Sequence, residues 1–580
     1  MTQDPEQATP SDAPNSGSST APGPAAKSSE APETKTEATR PAAESSSSDP
    51  QPPEAPHDKK RVALLNGACG QANRIRICGQ VVDIPVTRNQ KFDSWDNLHN
   101  LPDDFRELIR PIEDFTMLGV RRPRLQIEIL DVAPGDLREG EAGAQMEAAP
   151  VLYSSDVIVA RDDGFFSHAV DFGSGAVPEP GRYVLRVMLR GIDSIRQSVA
   201  DLAYIGNSDS LILKNDLAIG FGRLRIIPED FTGLILTSDI DQTFLDTPLH
   251  STQGLMETLF EKPGEKRPIF ALPEFFRRAQ HAAPLLFISA SPHFFRRTLS
   301  SVFQHHEIEI TGLHLKYLLS IYDNVIKKFA ETMLNLNDFL GQGVGASVER
   351  TLKFLGSSVM SLFDHVSYKL ITLLENRLMQ PTGAREILMG DNKESDFFIF
   401  SLYQTLLLGE ITGKDLENYL YRLNFLDRES LTRDSARRIV ELTEANLKQH
   451  GKLNSVDGLW INLSRDEPDA AKMQELIADA LPSHVGKNYQ NDDRIVKPRA
   501  ARGGAGFALA AYNEGFLKRE DLIAILRSGE GGAYQETVID QKRTIEFIRE
   551  FEVRPRASTG DSTNDKFSAD EIVAAYSGDA

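Results

Sequence analysis

The stretch FTGLILTSDIDQT, residues 231–243, decides how the rest of the chain is read. Leu234, Ile235 and Leu236 form a continuous apolar run, the pattern of a central strand of a parallel sheet that is buried on both faces. Two carboxylates, Asp239 and Asp241, and a hydroxyl, Thr243, come directly after it. Ligands and catalytic groups of open α/β sheets lie just beyond the carboxyl ends of strands. Alone, Asp-x-Asp-x-Thr also suits a loop or a helix cap, because a threonine hydroxyl can cap a helix. The downstream sequence selects between an active site and a cap.

Beyond residue 243, strand-like and helical patterns alternate. A helix is expected at 273–283, a second apolar strand at 285–288, then a long helical stretch, a helix at 366–379 and a strand at 386–389. More helix comes next, and then a strand at 458–463. Strands separated by helices imply an α/β fold with a doubly wound parallel sheet over 231–490. Helical insertions are expected at about 293–366 and 410–450. Upstream, RIRICGQVVDI (74–84), RLQIEIL (124–130), the run at 154–172 and GRYVLRVMLRGI (181–192) alternate or are rich in β-branched residues. Residues 59–230 therefore read as an antiparallel β-sandwich-like domain, with an irregular, partly helical segment at 92–120. Residues 491–557 read as a helical C-terminal region.

The first 58 residues are dominated by Pro, Ser, Ala, Glu and Thr with almost no large apolar side chains, so they cannot bury enough surface to offset their ordering entropy. They and 558–580 are expected to be disordered tails. The 580-residue chain carries a formal charge of −20. This disfavours general binding to nucleic acid or to an anionic membrane by the whole surface. Cys69 and Cys78 are the two cysteines, too few for a metal or disulfide framework. With no run of ~18 apolar residues, the expected location is cytoplasmic, with at most peripheral membrane contact and no nucleic-acid partner.

Four features fall at the ends of successive strands or the start of a helix: Asp239 to Thr243, Ser289 after LLFI, Lys369 early in its helix, and Gly390 to Asp396 after EILM. Each has a plainer reading as a cap, a buried hydroxyl, a solvated lysine or a turn. Together, in this order, they fit phosphoryl transfer. A carboxylate can attack phosphorus and a second acid can protonate the leaving alkoxide. A hydroxyl and an ammonium can hold the phosphoryl oxygens, and further carboxylates can hold Mg²⁺. The metal and the lysine offset repulsion between an anionic nucleophile and an anionic phosphate.

That order resembles the haloacid-dehalogenase-like (HAD-like) phosphohydrolases, and among them the Mg²⁺-dependent phosphatidate phosphatases of the actin-patch type and their bacterial relatives. The resemblance covers roughly 120–400. It rests on GLILTSDIDQT, KRPIFALPEFFRRA (266–279), PLLFISASPHFFRRTL (284–299), SYKLITLLENRL (367–378) and ILMGDNKESD (387–396). It implies that Asp239 is the nucleophile, Asp241 the general acid/base and Lys369 the group that stabilises an aspartyl-phosphate. It implies that Thr243, Ser289 and Ala290 bind the substrate phosphate. The implied Mg²⁺ shell is Asp239, Asp241, Asp391 and Asp396, and the implied substrate is phosphatidate or another phosphorylated lipid. Three departures stand out. Gln242 occupies a position where the family usually has Asp, Asn392 stands where it has Ser, and the connection from Pro292 to Lys369 is long.

The 320–366 stretch, with Gly341, Gly343 and Gly345 at its centre, reads as a packed helical pair or as a membrane-facing cap. Phe-Phe-Arg-Arg recurs at 275–278 and 294–297, with aromatics expected in the core and arginines at the surface. Two rival functions share the motifs: a phosphatase of a soluble phosphate ester or nucleic-acid end, and a catalytically inactive lipid-binding scaffold.

Overall fold

The computed structural model describes residues 59–85, 118–134, 145–146, 148–173, 177–192, 218–247, 266–316, 365–423, 431–464, 468–528, 538–551 and 568–577. The expected tail 1–58, almost all of the irregular segment 92–120 and the Gly-rich stretch around 341–345 lie outside the described residues.

The apolar run 234–236 is a strand, β11 (Leu234–Ser238), at the middle of a six-stranded sheet. The sheet also holds β12 (Leu285–Pro292), β13 (Gly312–Lys316), β14 (Arg385–Asp391), β15 (Val456–Asn462) and β16 (Arg499–Ala501). Its order is β13-β12-β11-β14-β15-β16 and every pair is parallel. Counted from β11 this is 3-2-1-4-5-6, the order of a doubly wound sheet whose winding reverses between strands 1 and 4. Asp239 and Asp391 flank that reversal.

Alternation along the strands sends side chains into two cores. Ile387 and Met389 join Leu236, Phe287 and Leu313 on one face, packed by the helices Leu272–Ala279, Arg296–His305 and Gly503–Asn513. Leu388 joins Ile288, Leu459 and Ile461 on the other, packed by His365–Met379, Asp396–Leu407 and Arg433–His450. Phe275 and Phe276 are fully buried, while Arg277 and Arg278 pair with Glu274. The first Phe-Phe-Arg-Arg is thus divided between core and surface as expected.

Ahead of this sheet lie β1 (Lys59–Leu65), β2 (Ala68–Gly70), β3 (Arg76–Pro85), β4 (Leu118–Gly119), β5 (Pro123–Leu130), β6 (Val151–Ser154), β7 (Ile158–Val159), β8 (Phe165–Ala169), β9 (Gly181–Ile192) and β10 (Ala218–Ile226). They form two sheets, one around β3 and one ordered β2-β10-β9-β5-β6. All pairs are antiparallel except β2 with β10. Ala63, Ile77, Val81 and Phe166 of the first meet Leu125, Ile127, Leu185 and Leu224 of the second in one core.

This β-rich part is joined to the α/β part by main-chain hydrogen bonds. Asn66 O accepts from Leu313 N on the edge strand β13 at 2.8 Å. Gln71 N donates to Met379 O at 2.8 Å, at the end of the helix that carries Lys369. The junction leaves no space at Gly67, which has φ +78° and where a Cβ would lie 2.4 Å from Thr311 O. Buried His293 and His314 complete the contact through Asn66.

Three expectations need correction. β13 lies inside the segment read as the helical insertion 293–366, because GLHLK is short and was masked by the amphipathic helix before it. β16 adds a strand at the start of the region read as helical. Part of the expected C-terminal tail is a helix, Ala569–Ser577, whose Ile572 and Ala575 are buried in the first core. Among the described residues no helix is long and apolar enough to cross a membrane.

Candidate active site

Asp239 is the first residue after β11, and its N–H donates to Met389 O of β14 at 2.9 Å. That bond fixes the register so that Asp239 and the last residue of β14, Asp391, emerge side by side; they are 2 % and 0 % exposed. Lys369 reaches Asp239 from the helix His365–Met379. Its Nζ is 2.7 Å from Asp239 Oδ1, 2.5 Å from Asp396 Oδ1 and 3.6 Å from Glu394 Oε2. Asp396 occupies the first turn of the helix Asp396–Leu407, where the helix dipole favours a negative charge.

Burial dominates the electrostatics. It pushes the Asp239 carboxyl well above the usual carboxylate range; Lys369 opposes this, while Asp396, Glu394 and Asp241 add to it. Burial likewise raises Asp391, with Asp396 and Glu394 reinforcing it. For Lys369 burial acts against the ammonium, but the charges of Asp239, Asp396 and Glu394 outweigh it and hold the proton on firmly. Four buried carboxylates, those of Asp239, Asp391, Glu394 and Asp396, face this one ammonium.

A divalent cation fits that imbalance. Oxygens of Asp239, Asp391 and Glu394 lie within 4.8 Å of one another. Asp239 Oδ2 and Asp391 Oδ2 are buried and without a hydrogen bond among the described residues. An all-oxygen, all-carboxylate set suits a hard cation such as Mg²⁺. Glu394 reaches the cluster because the chain folds back after β14: Lys393 N and Glu394 N both donate to Asp391 Oδ1, at 2.6 and 2.7 Å. Sequence reasoning named Asp396 for the metal; the structure puts Glu394 in the three-acid group and Asp396 on Lys369. Acidic character and place in the motif were the available signals, and both residues carry them equally.

Asp241, also named as a metal residue, makes its side-chain contacts with hydroxyls. Thr247 Oγ1 donates to its Oδ1 at 3.0 Å; Ser289 and Ser291 Oγ donate to its Oδ2 at 2.9 and 2.8 Å. Ser289, expected at a strand end, lies three residues inside the end of β12, where its hydroxyl meets the two-aspartate loop at Asp241. Ser291 and Thr247 were missed, although Ser291 sits in the quoted SASP motif. Ala290 is buried between the two serines. Thr243 is also buried, and its hydroxyl has no hydrogen bond among the described residues.

Gln242 has a structural job. It adopts φ +61°, a left-handed conformation uncommon outside glycine. Its Nε2 donates to Thr247 O, its Oε1 accepts from Lys393 Nζ at 2.8 Å, and its backbone O accepts from Asn462 Nδ2 at 2.8 Å. A carboxylate here could accept from Lys393 but could not donate to Thr247 O. The carboxamide ties the loop after β11 to the loop after β14.

The site is thus a buried pair of strand-end aspartates, a lysine that links one of them, Asp239, to Asp396, a third acid completing an oxygen cluster, and a separate aspartate held by hydroxyls. No curated protein matches the chain. Residues 234–338, which carry β11, β12, β13, Asp239, Asp241 and Ser289, match the family model described as phosphatidate phosphatase APP1, catalytic domain.

Proposed function

We propose that the chain is a Mg²⁺-dependent phosphatidate phosphatase of the HAD-like type, releasing phosphate and leaving diacylglycerol. The observation that carries this reading is Lys369 Nζ lodged between Asp239 and Asp396 at the reversal point of the sheet. The match of 234–338 to the phosphatidate phosphatase family model supports the substrate class.

In this reading Asp239 attacks phosphorus; the P–O bond to the glycerol oxygen breaks and an aspartyl-phosphate forms. Asp241 gives its proton to the departing alkoxide, then takes one from the water that hydrolyses the aspartyl-phosphate. Hydroxyls can donate or accept, so Thr247, Ser289 and Ser291 can hold Asp241 in either protonation state. Lys369 orients Asp239 and offsets its charge. Thr243, Ser289 and Ala290 line the approach of the phosphate. Asp239, Asp391 and Glu394 would hold Mg²⁺, which when bound supplies positive charge to the phosphoryl oxygens. The protein would work in the cytoplasm, at the membrane surface rather than through it.

The test is phosphate release from phosphatidate in mixed micelles, with Mg²⁺ or EDTA, for wild type and Asp239→Asn. The expected result is Mg²⁺-dependent release that falls by roughly 10³-fold or more in the variant. Metal-independent release, or a fully active variant, would falsify the mechanism. Soluble phosphate esters assayed in parallel decide the substrate class.

A further inference from the structure

At the other end of the sheet, three arginines converge on one cleft. Arg225 on β10 is directly opposite Arg182 on β9, and Arg223 is two residues along β10 on the same face. Like charges directly opposite across a sheet are destabilising, so this placement costs stability in the free protein. The intervening pair, Leu224 and Tyr183, points the other way into the β core. The arginine face meets the turn that leads into β13, and the cleft is completed by Gln280, Ala283, Ile310 and Thr311.

Two of the guanidiniums are fixed in place. Arg182 pairs with Glu309 at 2.7 Å and Arg223 donates to Ile310 O at 3.0 Å. The Arg225 guanidinium makes no hydrogen bond or ion pair with any described residue. Glu309 is the carboxylate among the described lining residues, so three guanidiniums against one carboxylate leave two positive charges. Burial pushes the Arg223 and Arg225 guanidiniums below their usual range, with Arg182 adding repulsion at both. A phosphate group carries about −1.5 to −2 at pH 7, and guanidiniums match its oxygens in bidentate geometry.

We propose that Arg182, Arg223 and Arg225 form a binding site for a phosphate-type dianion, separate from the active site. Thr311 and Gly312 stand at the amino end of β13, while Asp239 and Asp391 stand at the carboxyl ends of β11 and β14. A strand of five residues separates those ends by roughly 17 Å, so one phosphate cannot occupy both places. The ligand is free phosphate or a phosphomonoester lipid headgroup.

The test compares full-length wild type with Arg225→Gln and with Arg223→Gln/Arg225→Gln, in EDTA. Inorganic phosphate binding is read by calorimetry and by thermal shift. Vesicle binding is read by sedimentation on phosphatidylcholine mixed with phosphatidate, against phosphatidylcholine alone. Any phosphate held at the active site is common to all three proteins and cancels. Wild type should bind phosphate and gain thermal stability from it. Arg225→Gln should melt no lower than wild type in phosphate-free buffer, since a like-charge pair is relieved, and should bind phosphate at least fivefold more weakly. If the variants lose only phosphate binding, the ligand is the free anion; if they also lose phosphatidate-vesicle binding, it is the headgroup. Unchanged phosphate and vesicle binding in the double variant overturns the proposal.

Discussion

Replacing Glu394 with Gln separates the two assignments of the metal shell. The exchange keeps size and one acceptor oxygen but removes a charge from the Asp239, Asp391 and Glu394 cluster. In wild type, Lys369 is the one ammonium facing four buried carboxyl groups, and Mg²⁺ would supply the positive charge that favours their ionised forms, so Mg²⁺ should bind the folded chain far better than the unfolded one. At a Mg²⁺ concentration of 100 times Kd this is worth about 2.7 kcal/mol. For a unit of 150–250 residues that is a rise in Tm of roughly 5–10 °C. If losing a ligand carboxylate weakens Mg²⁺ about 100-fold, the same concentration equals Kd in Glu394→Gln. The gain then falls to about 0.4 kcal/mol, a shift of roughly 1–2 °C. Asp396→Asn, which touches Lys369 instead, should keep most of the shift. The assay is differential scanning fluorimetry in EDTA against a Mg²⁺ titration, with Ca²⁺ as a control cation. A full Mg²⁺ shift in Glu394→Gln together with its loss in Asp396→Asn would refute the assignment.

The same geometry sets further outcomes. Ser291→Ala removes one of the hydroxyls on Asp241 Oδ2; kcat should fall roughly tenfold with little change in KM, less than the 10²–10⁴ that a general acid contributes. Gly390→Ala places a Cβ 2.5 Å from Asp396 Cβ, which should cost about 1–3 kcal/mol in urea unfolding and displace Asp396 from Lys369. His314 gives a pH signature. Burial, with Arg296 adding to it, drives its pKa down to about 3, while the unfolded side chain titrates near ~6.5. The folded protein therefore stays neutral where the unfolded chain takes up a proton. The contribution is intact above ~6.5 and is lost progressively as pH falls toward 3, amounting to about 2 kcal/mol at pH 5. His314→Gln should reduce the stability difference between pH 8 and pH 5 by that amount; an unchanged difference would contradict it.

The legible parts of the sequence were those with a strong local signal. The apolar run 234–236 marked β11, and acids directly after an apolar strand marked the site. Lys369, Ser289 and Asp391 were found because each adjoins an element with clear periodicity, and the structure brings all three to the Asp239–Asp241 loop. Glu394 and Asp396 could not be separated in advance, since their directions are set by Asp391 Oδ1 drawing in two backbone N–H groups. Gln242 looked like a departure, but its amide needs partners, Thr247 O and Lys393, that come from different segments. β13 escaped notice because five residues between helical patterns carry too little period-2 signal. The helix Ala569–Ser577 was hidden by its polar, small-residue surroundings; only the core it packs against marks it as ordered.

The hydrogen bonds from Asn66 and Gln71 also decide where the chain can be cut. A fragment beginning at 231 would strip Asn66 from β13 and leave Leu313 N–H facing outward on a bare sheet edge, the surface through which strands recruit other chains and aggregate. It would also free the Met379 end of the helix that carries Lys369. The β-rich part is therefore a fastening of the helix that carries Lys369 as well as a neighbour, and an expression fragment for the α/β part should begin near residue 59.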